Sequence, residues 1–178
     1  DTKDITVEAE NEDSYDKSFM FNHEILGWMK DTDFAKTLND MGSVRARYGG
    51  VLVKKFQKNG EVEIEVVQWK NLVTDQVDIL AGVIVEKHYM TPQEIRAKKD
   101  VWENTEDAID LYAKKGHTRV DERIEVWEAH GEFPDSYLSD EDEADDTFSN
   151  QVHYFAVKGS KQAHLYWAEE KESPYKYL

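Results

Sequence analysis

The 178-residue chain contains no cysteine. This absence excludes disulfide bonds, thiolate nucleophiles, and zinc or iron–sulfur sites built from cysteine. No apolar run reaches the roughly 18 residues that a membrane-spanning helix requires, and no signal-peptide pattern opens the chain. These two absences lead us to expect a soluble chain that does not contact a membrane. Because the sequence begins at Asp1 rather than at a methionine, we also expect a processed form or an excised piece of a longer chain.

Positive charge is scarce. The chain has 22 lysine and arginine residues against 38 aspartate and glutamate residues, which gives a formal net charge of −16. A general electrostatic field of this sign disfavours binding to nucleic acid or to an anionic membrane. The same charge is compatible with a protein that mimics DNA, or with solubility alone.

The distribution of charge predicts the domain organisation. Residues 1–16 are mostly polar and lack periodicity, which is typical of a flexible acidic arm. Residues 17–178 are expected to form a single domain, with a subdivision near 116–120. No lysine or arginine occurs between Arg123 and Lys158, so we expect an acidic loop at 135–147.

Two amphipathic helices are predicted in the first third of the chain. Apolar residues recur at three- and four-residue intervals over 17–30 and again over 34–48. The second helix should end at Tyr48, because Gly49 and Gly50 supply the left-handed backbone that terminal carbonyls need. The face of the first helix that we expect to be buried comprises Phe21, Ile25, Trp28 and Met29.

A β-hairpin is the clearest local pattern in the sequence. Asn59 and Gly60 favour a type I′ turn between strands at 51–56 and 61–69, the second of which would end at Trp69. Apolar and glutamate residues alternate over 61–66, which indicates one buried face and one solvated face.

The remaining elements complete an α+β fold. A strand is predicted at 83–90, followed by a capping box in which Thr91 and Glu94 bond each other's backbone amides and Pro92 takes the first helical position. A helix at 92–99, a helix from 104 or 105 to Gly116, a strand through 124–126 and a hairpin turning at 159–160 follow. We therefore expect a mostly antiparallel sheet with short helices.

One carboxylate pair, one glutamate–histidine pair and three further histidines are candidates for chemistry. Asp75 and Asp78 would suit acid–base work or a metal, although Asx turns explain such aspartates more often. Glu86 and His88 lie two residues apart on one face of a strand and could form half of a metal site, for which the sequence indicates no third ligand. His130, His153 and His164 lie on different predicted strands and have packing roles by default.

No catalytic motif accompanies these residues. The sequence contains no phosphate-binding glycine loop, no G-x-S-x-G and no H-E-x-x-H. The chain is thus expected not to be an enzyme and to need no cofactor. A small hydrolase that uses Glu86 with His88, or Asp75 with Asp78, is the alternative with the least support.

An ordered succession of short segments resembles the portal proteins of tailed bacteriophages, in particular portals of the crAss-like kind. These segments are RYGG (47–50), WKN (69–71), TDQVD (74–78), EKHYMTP (86–92), WEN (102–104) and EAHGE (128–132). The resemblance covers residues 20–178, and it lies in the order of the segments rather than in any one of them. The residues that we single out as structural landmarks are Tyr48, Gly49, Gly50, Asn59, Gly60, Trp69, Asp75, Asp78, His88, Thr91, Pro92 and Glu94.

The resemblance implies a structural role. Portal proteins form a ring at one vertex of the capsid, are assembled in the bacterial cytoplasm, and contact the terminase motor and tail adaptor proteins. DNA passes through the ring without specific binding. Portals of this kind are several times longer than 178 residues, so the resemblance implies a fragment from the wing-like region. The tunnel-lining helix of the family is absent from this sequence, and no residue here is assigned a contact with DNA.

Overall fold

The computed structural model describes residues 6–11, 14–58, 60–75, 77–113, 123–137 and 147–178. The chain divides into two compact units, Asp1–Val67 with Pro174–Leu178, and Gln68–Ser173. The sequence analysis treated 17–178 as one domain. The subdivision that it placed near 116–120 lies outside the described residues.

The first unit consists of two helices and a three-stranded antiparallel sheet whose middle strand is the first in the chain. Gly49 ends the second helix with a φ of 84°, and its amide donates to the carbonyl of Arg45 at 2.8 Å. The elements of this unit are α1 (Tyr15–Asp31), α2 (Phe34–Tyr48), β1 (Leu52–Lys58), β2 (Glu61–Val66) and β8 (Tyr175–Tyr177).

The predicted hairpin is present as β1 and β2. Lys58 pairs with Glu61, so the connection is two residues long, and Gly60 has the positive φ, 87°, that such a turn requires. Asn59 lies outside the described residues. The second strand ends at Val66 and not at Trp69, which instead begins a short 3₁₀ helix in the other unit.

The predicted buried face of α1 is partly wrong. Met29 is buried, and the indole of Trp28 donates to the carbonyl of Val62 at 2.6 Å and lies 5.0 Å from the ring of Phe34. Phe21, in contrast, is 55% exposed. Helical periodicity places these residues on one stripe, and Trp28, near the C-terminal end of that stripe, contacts α2 and β2.

The sequence analysis did not predict the strand β8. Val51 and Leu178 exchange backbone hydrogen bonds of 3.0 and 2.9 Å, and Leu52 pairs with Tyr177. A Cβ atom at Gly50 would collide with the ring of Tyr177. Gly50 therefore allows a close approach of the β8 side chain, in addition to following the helix stop at Gly49.

The second unit is a five-stranded antiparallel sheet, in which neighbouring strands follow one another in the chain, with two short helices. The predicted α+β class, with mostly antiparallel strands, is confirmed. Both helices are shorter than predicted, and Gly116 lies outside the described residues. The elements are β3 (Leu72–Val73), β4 (Ile84–Met90), α3 (Pro92–Arg96), α4 (Thr105–Tyr112), β5 (Ile124–Pro134), β6 (Phe148–Lys158) and β7 (Lys161–Glu169).

One face of this sheet, which we call the helix face, carries the hydrophobic core. It presents Ile124, Val126, Glu128 and His130 of β5, and α3 and α4 pack over its apolar half. The opposite face presents Trp127 and Ala129 of the same strand, since side chains alternate along a strand. The core is formed by Ile95, Trp102, Ala108, Ile109, Tyr112, Ile124, Val126, Ala156 and Leu165.

The predicted capping box begins α3. The Thr91 hydroxyl accepts from the amide of Glu94 at 3.3 Å, and the Glu94 carboxylate accepts from the amide of Thr91 at 2.6 Å. The bond from the Thr91 amide, followed by one that the Thr91 hydroxyl donates to the same carboxylate at 2.8 Å, lowers the pKa of Glu94. Pro92 occupies the first helical position, so this local prediction is confirmed.

The two predicted polar segments are described in part. Residues 6–11 of the predicted arm contact α1, where the amide of Val7 donates to the Asn22 side chain at 2.7 Å. In the predicted acidic loop, Asp135–Tyr137 form a short 3₁₀ helix, and residues 138–146 lie outside the described part. None of the helices in the described part of the chain is long and apolar enough to cross a membrane.

Candidate functional site

Two neighbouring strands of the second unit carry the same Glu-x-His pattern. Glu86 and His88 lie on β4, and Glu128 and His130 lie on β5. The register pairs Glu86 directly with Glu128. Because side chains alternate along a strand, all four project from the helix face, beyond the part that α3 and α4 cover.

Glu128 is the centre of this group, which we call the Glu–His cluster. Its side chain is only 3% exposed, yet three groups donate to its carboxylate. His88 Nε2 lies 2.7 Å from Oε2, His130 Nε2 lies 2.9 Å from Oε1, and the hydroxyl of Tyr154 also donates to Oε1. A buried carboxylate would be costly without such partners.

His130 bridges two carboxylates. It is 4% exposed, and its Nδ1 lies 2.7 Å from Oε2 of Glu170 while its Nε2 faces Glu128. Burial lowers the pKa of His130, but hydrogen bonds to Glu128 and Glu170 outweigh burial, and the net pKa is raised. Since carboxylates only accept, both ring nitrogens carry protons, and His130 is an imidazolium.

Tyr154 links the cluster to the hydrophobic core. Burial, followed by the charge of Glu128, strongly raises the pKa of its hydroxyl, so the phenol remains protonated and donates. Its ring lies 5.1 Å from that of Trp102 and 6.0 Å from that of Tyr166. Packing of the ring therefore holds the hydroxyl against Oε1 of Glu128.

Three of these side chains could together hold a metal ion. One ligand atom from each of Glu86, His88 and Glu128 lies within 4.8 Å of the other two. Glu86 is 7% exposed, and its Oε2 is 4.0 Å from His88 Nε2. In the sequence, Glu86 and His88 were one candidate half of a metal site with no third ligand, and the fold supplies Glu128 as the third residue.

The other two candidate histidines lie on the opposite face of the sheet. His153 Nδ1 is 3.1 Å from His164 Nε2, and His153 Nε2 is 2.8 Å from the side-chain oxygen of Gln151. Burial, followed by the proximity of His164, lowers the pKa of His153 to about 4. We call this the aromatic face, because the rings of Phe133, Tyr137, Phe155 and Trp167 surround the two imidazoles.

Asp75 and Asp78 hold a turn. Asp75 Oδ1 accepts from the amides of Val77 at 2.7 Å and Asp78 at 2.9 Å, and Asp78 Oδ1 accepts from the amide of Leu80 at 3.2 Å. The two backbone bonds lower the pKa of Asp75. Both aspartates therefore act as Asx-turn residues, which was the preferred interpretation of the sequence.

Sequence reasoning missed Glu128, Tyr154 and Glu170. The signal that could have identified Glu128 is the repetition of Glu-x-His at 86–88 and 128–130, since the same two-residue period in two adjacent strands places four polar groups on one face. Tyr154 and Glu170 carry no such signal. Their roles depend on the pairing of β6 and on the course of the chain after β7.

Comparison with known proteins adds no relative: no family model and no curated protein sequence matches this chain.

Proposed function

We propose that this chain is a structural part of a bacteriophage portal ring, through which DNA is packaged and later ejected. The ordered succession of segments from RYGG at 47–50 to EAHGE at 128–132 carries the proposal. In this function the protein would reside at the capsid vertex of the virion, associate with copies of itself, and contact the terminase and tail adaptor proteins. It would neither catalyse a reaction nor need a cofactor.

An exposed apolar surface on α1 supports self-association. Tyr15 and Phe19 are each 68% exposed, Met20 is 62% exposed and Phe21 is 55% exposed. Single apolar residues on a surface are ordinary, but four large apolar side chains exposed within two turns of one helix are compatible with a protein–protein contact. A ring subunit needs such a surface for its neighbours.

The charge of the chain is compatible with a channel. A net charge of −16 provides no attraction for DNA phosphates. A wall that repels phosphate lets DNA slide, whereas a basic wall would hold it. The Glu–His cluster has a structural role here, because it joins β4, β5 and β6 through charge-assisted hydrogen bonds.

Charge-introducing substitutions on α1 test the proposed association. Sedimentation velocity over a series of concentrations should show oligomers for the natural chain. Phe19→Asp combined with Met20→Asp should shift them to monomers. Val77→Asp is the matched control, because Val77 is apolar and 97% exposed but lies in the other unit. A chain that stays monomeric at every concentration, or variants that behave alike, would argue against the α1 surface.

The parent coding sequence tests the wider proposal. A portal requires a reading frame several times longer than 178 residues beside a gene for a terminase large subunit. A short stand-alone gene would contradict the portal and favour the alternative of an acidic DNA mimic. The mimic would compete with DNA for a nuclease as a monomer, and a portal segment would not.

A further inference from the structure

We propose that Glu86, His88 and Glu128 bind a divalent transition-metal ion of the Zn²⁺ or Mn²⁺ class. This site is distinct from the ring-forming function proposed above and does not depend on it. Two residues come from one strand with a spacing of two, and the third lies directly opposite in the next strand. The three side chains therefore converge on one face of two paired strands, and the sheet rather than a loop fixes their positions.

The charges of the cluster favour a divalent cation. Three carboxylates, those of Glu86, Glu128 and Glu170, converge with the imidazoles of His88 and His130. The two positive charges of a divalent ion would offset two of the three carboxylates. Opposite charges at these distances and burial interact strongly, because little water screens them.

The ligand atoms need only small movements to coordinate an ion. With metal–ligand bonds of about 2.1 Å, neighbouring ligand atoms lie roughly 3.0–3.4 Å apart. The present separations are 2.7 Å from His88 Nε2 to Glu128 Oε2 and 4.0 Å from His88 Nε2 to Glu86 Oε2. The distance between His88 and Glu128 must increase by a few tenths of an ångström, and the distance between His88 and Glu86 must decrease by somewhat more. Side-chain rotation can provide both changes.

The chemistry of the ligands selects the class of metal. One imidazole nitrogen with two carboxylate oxygens suits Zn²⁺, Mn²⁺, Fe²⁺ or Co²⁺. Ca²⁺ and Mg²⁺ prefer sites built from oxygen alone, with more ligands. Thiophilic ions are disfavoured, because the chain has no cysteine.

The surroundings resemble the outer shell that metal sites require. His130 and Tyr154 hold Oε1 of Glu128, so Oε2 is directed at the place where the ion would bind, and Glu170 in turn orients His130. Hydrogen bonds of this kind orient ligating carboxylates and raise affinity. The side chain of His88 is 33% exposed, which provides an entry path and room for a water ligand.

Binding of Zn²⁺ and Co²⁺ to the complete chain tests the proposal. Calorimetry in about 150 mM NaCl, which screens the diffuse attraction of a −16 chain, should show one ion per chain. The visible absorption of bound Co²⁺ should differ from that of the hydrated ion, because a nitrogen and two carboxylate oxygens replace water. This spectrum uses the unaltered protein, so it does not depend on the folding of any variant.

Matched substitutions locate the ion. His88→Gln and Glu86→Gln should each weaken binding at least tenfold, and Tyr154→Phe about tenfold through the loss of an orienting bond. His23→Gln and Glu132→Gln, which change exposed residues outside the cluster, should leave affinity unchanged. Binding that is absent at about 1 mM Zn²⁺, a Co²⁺ spectrum like that of the hydrated ion, or equal affinity in His88→Gln and His23→Gln would each overturn the site.

Discussion

The two faces of the five-stranded sheet place histidines of the same ordinary pKa in opposite charge states. On the helix face, His130 lies between Glu128 and Glu170, and its pKa is raised. On the aromatic face, His153 lies between Gln151 and His164, and its pKa is lowered to about 4. Both rings are almost fully buried, with exposures of 4% and 1%.

The difference shows that partners and not burial decide the charge of these residues. Burial disfavours the imidazolium at both positions. Carboxylates reverse that penalty at His130, whereas a neutral amide oxygen and a second imidazole do not reverse it at His153. One sheet thus holds a charged histidine among carboxylates on its helix face and a neutral histidine among aromatic rings on its aromatic face.

Among substitutions on the two faces, removal of Glu128 should cause the largest loss of stability. Glu128→Ala leaves His88, His130 and Tyr154 without their shared acceptor and removes the negative charge that stabilises a buried imidazolium. We expect the free energy of unfolding to fall by about 3–5 kcal/mol. Urea-induced unfolding of the complete chain measures this loss.

The matched change on the aromatic face is Gln151→Ala. Gln151 is also fully buried and donates to the carbonyls of Phe133 and Pro134 and to the hydroxyl of Ser149. These three partners are neutral, and the Asp135 carboxylate, which also bonds Gln151, keeps its bonds to Ser149 and Thr147, so the loss should be smaller, roughly 1–3 kcal/mol. Equal losses at the two positions would mean that the charge of the Glu–His cluster adds nothing to its hydrogen bonds.

The second prediction concerns acid stability and His153. The unfolded chain binds a proton at this histidine near pH 6.5, whereas the folded chain binds it only near pH 4. The free energy of unfolding should therefore decrease as pH falls from about 6.5 to 4, by roughly 3 kcal/mol from this residue. His153→Gln should lose that part of the slope, and urea unfolding at several pH values measures it.

The groups that face His153 define the control. His164 and Tyr137 are the titratable neighbours on the aromatic face, and the remaining contacts are with Gln151, Phe133 and Phe155. His23→Gln changes an exposed histidine of α1 and should retain the full slope. A His153 resonance that titrates near pH 6.5 in the folded protein would contradict the prediction.

Local signals in the sequence predicted much of the fold. The turn at Gly60, the helix stop at Gly49 and the cap at Thr91 were predictable, because each depends on residues that are adjacent in the chain. The pairing of β8 with β1 was not, since 175–177 carry no pattern that indicates a partner. Phe21 was misassigned because periodicity shows which residues share a face but not how far the neighbouring elements extend.

The candidate site depended on information that no short segment contains. Glu86 and His88 were identified as a pair, but Glu128 joins them only because β5 pairs with β4 in a register that aligns residues 42 positions apart. A shift of one residue would have moved Glu128 and His130 to the aromatic face. The contact between His153 and His164 likewise depends on the irregular register of β6 and β7 after Tyr154.

The smallest expected effect comes from the cap of α3, a helix that packs on the helix face and not on the aromatic face. Thr91→Ala removes the hydroxyl that accepts from the Glu94 amide, and loss of such a cap costs about 1 kcal/mol. Ile95 of α3 is fully buried in the core, so fraying of this helix should loosen the apolar half of the helix face and leave the His153 resonance unchanged. Hydrogen exchange of the Glu94 amide should become faster in Thr91→Ala, whereas Thr91→Ser, which keeps the oxygen, should exchange at nearly the natural rate. A change in the His153 resonance of Thr91→Ala would show that the two faces are coupled through the sheet and do not respond independently.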